Sequence, residues 1–546
     1  MPSAPNFGQP HPPPAHALSD FGVLSRAEKL LLDACAEGGI ARVGYRRPKT
    51  KSPDNLLRGE FLAFLARGGA AGATVKGRRV ELLGAWISGC VDLRGAAVPV
   101  GLWLFRCAFD SVPRFDGAHC EGNVDFADCA LPGLRAQGCS IAGELALNAG
   151  CEVHGQVFLA RARLGGGLRC ERAQLGHAGL TQPALLADGA HIGGGVVLGE
   201  GFVASGEVRF VGAHIEGDFR AAGAHLSGHV DAQGARHVAL NLDRIGVAGN
   251  MHLGAGFSAA GRVSLRRACI DGGLDASQAA FDVVGDANWG SGAPLCLDHA
   301  RIEGALNLCQ LDSPLAGASL RHARVGLLVD DTTTWGEGQL LDGFRYARLG
   351  AGAPLDARFR EAWLARQPQS HLQAEFRHQP WRQVIKVLRR MGRDDSAAAM
   401  AIAREKRLHQ IGRIGAAAPA ALRWLPRAVH RLHGAFAGYG HQPWRLVAAL
   451  LALWLGCAVV YGLAANEGLM GQGDRFSPLL FSLDQMLPAF ELHQEADWAM
   501  LRGDATTMPW HTALRWLMAG QALFGWFAAL ALVATLAGWT DRDRRG

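Results

Sequence analysis

Apolar and polar positions through the middle of the chain repeat with neither a helical nor a simple strand period. The ten residues Gly206–Ile215, GEVRFVGAHI, return almost unchanged eleven residues later as GDFRAAGAHL, Gly217–Leu226. The same phrase, Gly-x-apolar-x-apolar, starts at Gly89, Gly122, Gly143, Gly155, Gly166, Gly194, Gly206, Gly217, Gly228, Gly249, Gly261, Gly272 and Gly304. Separations cluster at 11 or 12 residues, or near two or three times that, with one step of 28 from Gly166 to Gly194. Weaker copies fill gaps, such as SVPRFDGAHC from Ser111 and the copy containing LCLDHARIEG from Leu295. Within a copy the inward candidates are positions three, five, eight and ten. A 3.6-residue helix would scatter them over conflicting faces. Short strands joined by tight corners bring them to one interior, with Ala, Gly or Cys where the corner is crowded and Leu, Ile, Val or Phe filling the space between. Two copies, about 22 residues, then form one side-by-side pair of half-turns in a four-sided coil that stacks on the next through backbone hydrogen bonds. From about residue 80 to residue 350 this predicts a mainly β solenoid of on the order of a dozen coils, roughly 50 to 60 Å long at ~4.8 Å per strand.

The flanks change period. Leu24–Ala36 and Asn55–Arg67 have helical apolar spacing and precede the first coil, so they are expected to cap its open edge. After the coils, Pro380–Met391 and Asp395–Leu408 form a helical hairpin around the Gly392 turn, with Gln379-Pro380 setting its start. Leu446–Ala465 contains no charge, and Trp516–Trp539 has only Gln521, Thr535 and small residues as interruptions. Each can span about 30 Å of hydrocarbon, and Trp444, Trp516 and Trp539 flank them as interfacial anchors. The resulting organisation is a proline-rich tail (1–19), a helical cap (20–79), the repeat domain (80–350), the hairpin with a basic juxtamembrane segment (351–440), and a two-span membrane domain (441–546) with an external loop at 466–511.

Charge orients this arrangement. The net charge of +6 over 546 residues names no partner by itself. Between Arg382 and Arg445, however, 13 Lys or Arg face 3 acids, whereas the loop 466–511 has Arg475 and Arg502 against 7 acids. The positive-inside rule puts both termini in the cytoplasm and the acidic loop outside. The 12 cysteines, expected as thiols in that compartment, form no CxxC pair. Cys107, Cys129 and Cys139 fall where other copies carry alanine, the signature of small core filler.

The five-residue rhythm resembles a divergent pentapeptide-repeat β-helix. The sequences NLLRGEFLAFLARGG, VKGRRVELLGAWISGCVDL and FRHQPWRQVIKVLRRMGRDDSAAAMAIAREKR look like those of bacterial membrane proteins in which such a solenoid precedes two C-terminal spans. The resemblance runs from about Asn55 onward. It implies right-handed coiling, a bacterial inner-membrane location, and a family in which some members carry the label membrane-associated oxidoreductase. The chain contains no strand-linked GxGxxG, haem or flavin motif to accompany that label, nor HExxH, GxSxG or a Walker lysine, so catalysis, cofactor and metal are not expected from its motifs.

Three groups of residues carry the expected chemistry. Position nine of the repeat should point outward and is often His or Arg: His119, Arg163, His191, His214, His225, Arg301, Arg324 and Arg348. His191 and His214 stand 23 residues apart, so they should stack on neighbouring coils, and Arg301, Arg324 and Arg348 repeat nearly the same step. Such a ladder can bind a metal or an anionic partner, the arginines suiting an acidic one; the plainer reading is a solvated face whose long side chains cover the coil and keep the rod soluble. Arg404, Arg407, Arg413, Arg423, Arg427 and Arg431 alternate with apolar residues next to the first span, a pattern for lying on anionic lipid; no stacking platform for nucleic acid accompanies them. Phe476–Trp498, between the spans, is too apolar for a plain tether. It reads as an amphipathic helix on the outer leaflet or, with Asp484, Glu491, Glu495 and Asp497 as a ring and Gly525-Trp526 in the second span, as the re-entrant part of an oligomeric channel-like module. The expected function is a membrane-anchored cytoplasmic scaffold that docks a partner; the alternative is an oligomeric channel-like or signalling protein regulated by its β domain.

Overall fold

The computed structural model describes residues 17–70, 72–177, 179–229, 237–282, 293–373, 375–417, 419–469, 477–487 and 508–543. The chain divides into two compact units, Met1–Leu355 with Ala362–Gln383, and Asp356–Glu361 with Val384–Gly546.

The first unit is built on parallel strands in sheets of 21, 10 and 7 strands. Most strands are two or three residues long, and they come in sets of four. His119–Cys120, Val124–Ala127, Ala130–Leu131 and Leu134–Arg135 form one such tier, after which Ser140–Ile141 pairs in parallel with His119–Cys120. Four ladders therefore run through the tiers. In the first, Val98, Cys120, Ile141, Leu164, Ile192, Ile215, Val247 and Ile270 stack in register, all buried. In the second, Leu102, Val124, Leu145, Leu168, Val196, Phe219, Met251 and Leu274 do the same. The half-repeat of the sequence is thus two strands, and its glycine has a definite place. Gly143, Gly166, Gly194, Gly217, Gly249, Gly272 and Gly304 stack on one another between the first and second ladders. A Cβ on Gly217 would stand 2.9 Å from the carbonyl carbon of Gly194, and one on Gly249 2.8 Å from that of Gly217. The tiers can approach to strand spacing there only because both residues lack a side chain.

The corner residues follow the expected size rule. Cys107, Cys129 and Cys151 occupy one corner column with Ala85 and Ala173, and Cys139 another with Ala118 and Ala162, all essentially inaccessible. Burial pushes the thiols of Cys139 and Cys151 up to about 12, so they pack as small apolar groups. Tiers are not all the same length: the step is 28 residues from Leu168 to Val196 and 32 from Phe219 to Met251 and from Leu274 to Leu306. In each case the added residues lie between the third and fourth ladders.

Strands begin earlier than the sequence suggests. Ile40–Arg42 already pairs with Glu81–Leu83, and Leu56–Arg58 with Trp86–Ser88, inside the stretch expected to be a helical cap. Two helices do occur there, α1 (Arg26–Glu37) and α2 (Gly59–Ala66). Ser25 and Glu28 form a capping box on α1, and Glu28, 1% exposed, accepts 2.7 Å bonds from Arg58 Nε and Nη2. At the other end follow α3 (Ala357–Ala365), α4 (Gln369–Leu372) and α5 (His378–Arg390). The first residues of α5 cover the last tier: the Gln379 amide accepts from Gly343 N and donates to Phe344 O, and Gln383 donates to Tyr346 O. Side-chain amides thereby satisfy backbone groups that a further strand would have used.

The second unit is helical, with α6 (Asp394–Gln410), α7 (Trp424–Ala437), α8 (Pro443–Asn466), α9 (Pro478–Met486) and α10 (Met508–Asp543). Two of its helices are long and apolar enough to cross a membrane, Pro443–Asn466 at a mean hydropathy of 2.3 and Trp510–Val533 at 1.7.

Candidate interaction surface

The alternation of the first ladder turns one residue of each strand inward and the other out. His119, Ser140, Arg163, His191, His214, Gly246, Cys269, Arg301, Arg324 and Arg345 occupy the outward position in unbroken register. Seven of these ten are His or Arg and exposed, and none is acidic, so the row is a basic stripe. The rings of His191 and His214 stack at 5.4 Å and 15°. Acids flank the row without entering it: His191 lies 3.1 Å from Glu216, and Arg301 pairs with Glu303.

Two residues expected in this row lie elsewhere. His214 and His225 are 11 residues apart, half a tier, so they face different sides; His225 belongs to the third ladder between Val203 and Ser258, with its Nδ1 2.7 Å from Ser258 Oγ. Arg348 pairs with Leu327, and the rung beyond Arg324 is Arg345, because the last tier advances by 21 residues. Phe344, taking the corner position that is alanine at 323, marks that shorter step in the sequence.

A second cationic column runs beside the row. The corner preceding each first-ladder strand is held at positive φ in every tier, by Gly95, Gly117, Gly138, Gly189, Gly212 and Gly343 and otherwise by Arg161, Arg244, Arg267, His299 and His322. His299 and His322 stack at 4.9 Å. One residue before them, Asp298 (7% exposed) meets Arg321 at 2.5 Å. Burial opposes its charge, but the bonds from Arg321 and Ser319 outweigh that and hold its carboxyl below the usual range.

In the helical unit, the basic residues expected to face lipid divide. Arg413, Arg423, Arg427 and Arg431 are exposed, alongside Leu422, Trp424, Leu425, Val429 and Leu432, each at least 47% exposed. Arg404 instead bonds its helix neighbour Glu405 at 2.6 Å, and it is Glu405 that reaches α7, meeting His430 at 3.4 Å. Arg407 is half-buried. Arg431 Nε donates to His409 Nε2 at 2.8 Å; burial and this guanidinium hold His409 below its ordinary value.

Polar residues inside the apolar helices meet in one seam. Tyr461 OH of α8 donates to Gln521 Oε1 of α10 at 2.8 Å, and Gln521 Nε2 donates to Ser482 O and Oγ of α9 at 2.7 and 2.9 Å. Ser482 Oγ donates to Trp454 O, and Trp454 Nε1 to Leu479 O. Tyr461, Ser482 and Gln521 are at most 1% exposed. Trp454 and Gln521 each fall at the middle of their apolar stretch, Pro443–Asn466 and Trp510–Val533. Helix α9 therefore inserts between the two at mid-height and does not lie across their ends, and a Cβ on Gly525 would collide with Met486 O. Gln521 stands out in the sequence as a polar interruption; its partners do not. Asp484 sits in α9, whereas Glu491, Glu495 and Asp497 fall outside the described residues. Among the described residues no group of three or more His, Cys, Asp or Glu is placed to hold a metal. No protein-family model, curated protein or solved structure matches the chain.

Proposed function

We propose that this chain is a membrane-anchored docking protein. The parallel tiers are read as a four-sided, right-handed β-helix of the pentapeptide-repeat kind, with about 22 residues per coil. The two apolar helices anchor it in a bacterial inner membrane with both termini cytoplasmic, and α7 lies on anionic lipid through its exposed arginines and leucines. The observation that carries the reading is the basic row: seven His or Arg side chains presented at strand spacing on one exposed ladder. A regular cationic stripe on a rod suits an acidic protein partner better than it suits enclosure of a small substrate.

Photo-cross-linking in cells tests this. A benzophenone side chain at His214 or Arg324 should yield discrete protein adducts, lost when Arg324 or Arg345 elsewhere in the row is changed to Glu. The same group at Gln174, outward on the third ladder, should yield none. Equal adducts on both faces, or none on either, would sink the reading.

A second reading rests on α9. A short helix inserted at mid-height between two apolar helices is the arrangement of a re-entrant segment, and one two-span chain needs further copies to enclose a pore. Conductance in reconstituted liposomes that disappears on neutralising Asp484 and Glu491 is the expected result if the module conducts.

A further inference from the structure

A side chain in the left-handed region destabilises the backbone where glycine would not, and such exceptions concentrate at sites of use. At the corner beside the basic row all five exceptions are Arg or His: Arg161, Arg244, Arg267, His299 and His322. The corner between the second and third ladders has no such bias, taking Asp128, Ala149 and Gln278 as well as Arg106 and Arg172. The first corner therefore places charge, and in one tier that charge borders an opening. Arg161 in the corner and Arg163 in the row belong to the same tier; the next tier sets Gly189 beside Arg161 and His191 beside Arg163. Gly189 leaves room where a side chain would reach toward Arg161, its absent Cβ lying 3.8 Å from Arg161 Cγ. The result is a cleft of about 520 Å³ bounded by Arg161, Arg163, Gly189 and His191, with no acid among the described residues of its wall.

Two carboxylates adjoining the wall residues are already engaged. Asp188, next to Gly189, takes Arg209 at 2.7 Å and Val211 N at 3.0 Å, and Glu216 takes His191 Nε2 at 3.1 Å. The side chains of Arg161 and Arg163 have neither a hydrogen bond nor an ion pair among the described residues. Two guanidinium forks without a partner among the described residues offer more donors than the two oxygens of one carboxylate accept, and match a dianion with three or four oxygens. The geometry points to a binding site for a phosphate-class oxyanion, inorganic phosphate or a phosphomonoester, in the cleft between Arg161, Arg163 and His191. The inference rests on the basic row but not on any protein docking there.

Calorimetric titration of the full-length protein in nonionic detergent and chloride buffer tests it, with inorganic phosphate as one probe and phenyl phosphate as the other. Saturable binding is expected, weakened about tenfold or more by Arg161→Gly and by Arg163→Ser. Both variants place residues that the same columns already carry, at Gly138 and Ser140, so the denaturation midpoint should not fall. Arg244→Gly, in the same corner away from the cleft, should leave binding unchanged. Binding of phenyl phosphate in competition with phosphate assigns the site to phosphomonoesters; binding of inorganic phosphate alone assigns it to the free anion. Absence of saturable binding, binding indifferent to Arg161→Gly, or equal weakening by Arg244→Gly overturns the site. Loss of the cross-links at His214 with phosphate binding intact would remove the docking reading alone.

Discussion

Replacing Gly217 by alanine isolates crowding between tiers from backbone strain. The added methyl would stand 2.8 Å from Gly195 N and 2.9 Å from Gly194 C and O, all backbone atoms. Ordinary contact needs about half an ångström more, and the next tier presses from the other side, with Gly249 stacked on Gly217. Overpacking of this kind costs about 1–3 kcal/mol, and rigid backbone puts this case near the top of that range. The alanine also restricts the unfolded chain, which returns about 0.5 kcal/mol and leaves a net loss of about 2 kcal/mol. Gly138 provides the contrast: its φ is +60° and nothing lies within 4 Å of the place a methyl would take, so Gly138→Ala carries only the left-handed penalty, about 1 kcal/mol net. Urea-dependent proteolysis of the full-length protein in detergent reads both losses as shifts in unfolding free energy. A Gly217→Ala variant within about 0.5 kcal/mol of the parent, or less affected than Gly138→Ala, would refute the stacked-glycine account.

Other consequences are equally open to measurement. Asp298 is charged in the fold and its carboxyl is held low, so its contribution is present above the ordinary carboxylate pKa near 4 and is lost as pH falls toward the folded value. Asp298→Asn should therefore be less stable than the parent at neutral pH, with the gap closing below about pH 4 in a pH series of denaturation midpoints; a constant gap would contradict the assignment. Gln521→Leu strands Tyr461 OH and Ser482 O between three helices, and should lower the thermal stability of the detergent-solubilised protein; a double-mutant cycle with Tyr461→Phe should give a coupling of about 0.6–1.7 kcal/mol. A spin label at Val429 in anionic nanodiscs should be more accessible to oxygen than to a polar nickel reagent, reversing when Arg423, Arg427 and Arg431 are all changed to Glu.

The tiers are legible because glycine and small residues recur wherever two backbones must touch, as at Gly194, Gly217 and Gly249, and that requirement leaves a period in the sequence. Which face a residue joins is less legible. An 11-residue spacing looks like repetition, yet it carries His214 to one side and His225 to another, and only the pairing register separates them. The early strands at Ile40 and Leu56 are too short to announce themselves, since two or three residues suffice when every neighbour is parallel and buried. Arg161 does not stand out because a corner consensus of glycine hides its exceptions, and conformational cost becomes visible only with φ in hand. The Tyr461–Gln521–Ser482 seam joins residues up to 60 apart, and nothing local in an apolar run says which interruptions will meet.

The placement of the added residues in the longer tiers has a practical corollary. All three enlargements enter between the third and fourth ladders, while the glycine-stacked edge admits not even a methyl group. Among the described residues, the corner between the third and fourth ladders is the hem at which foreign sequence can be sewn in. A fluorescent tag or affinity epitope grafted there would leave the hydrogen-bonded stack and its cationic side untouched.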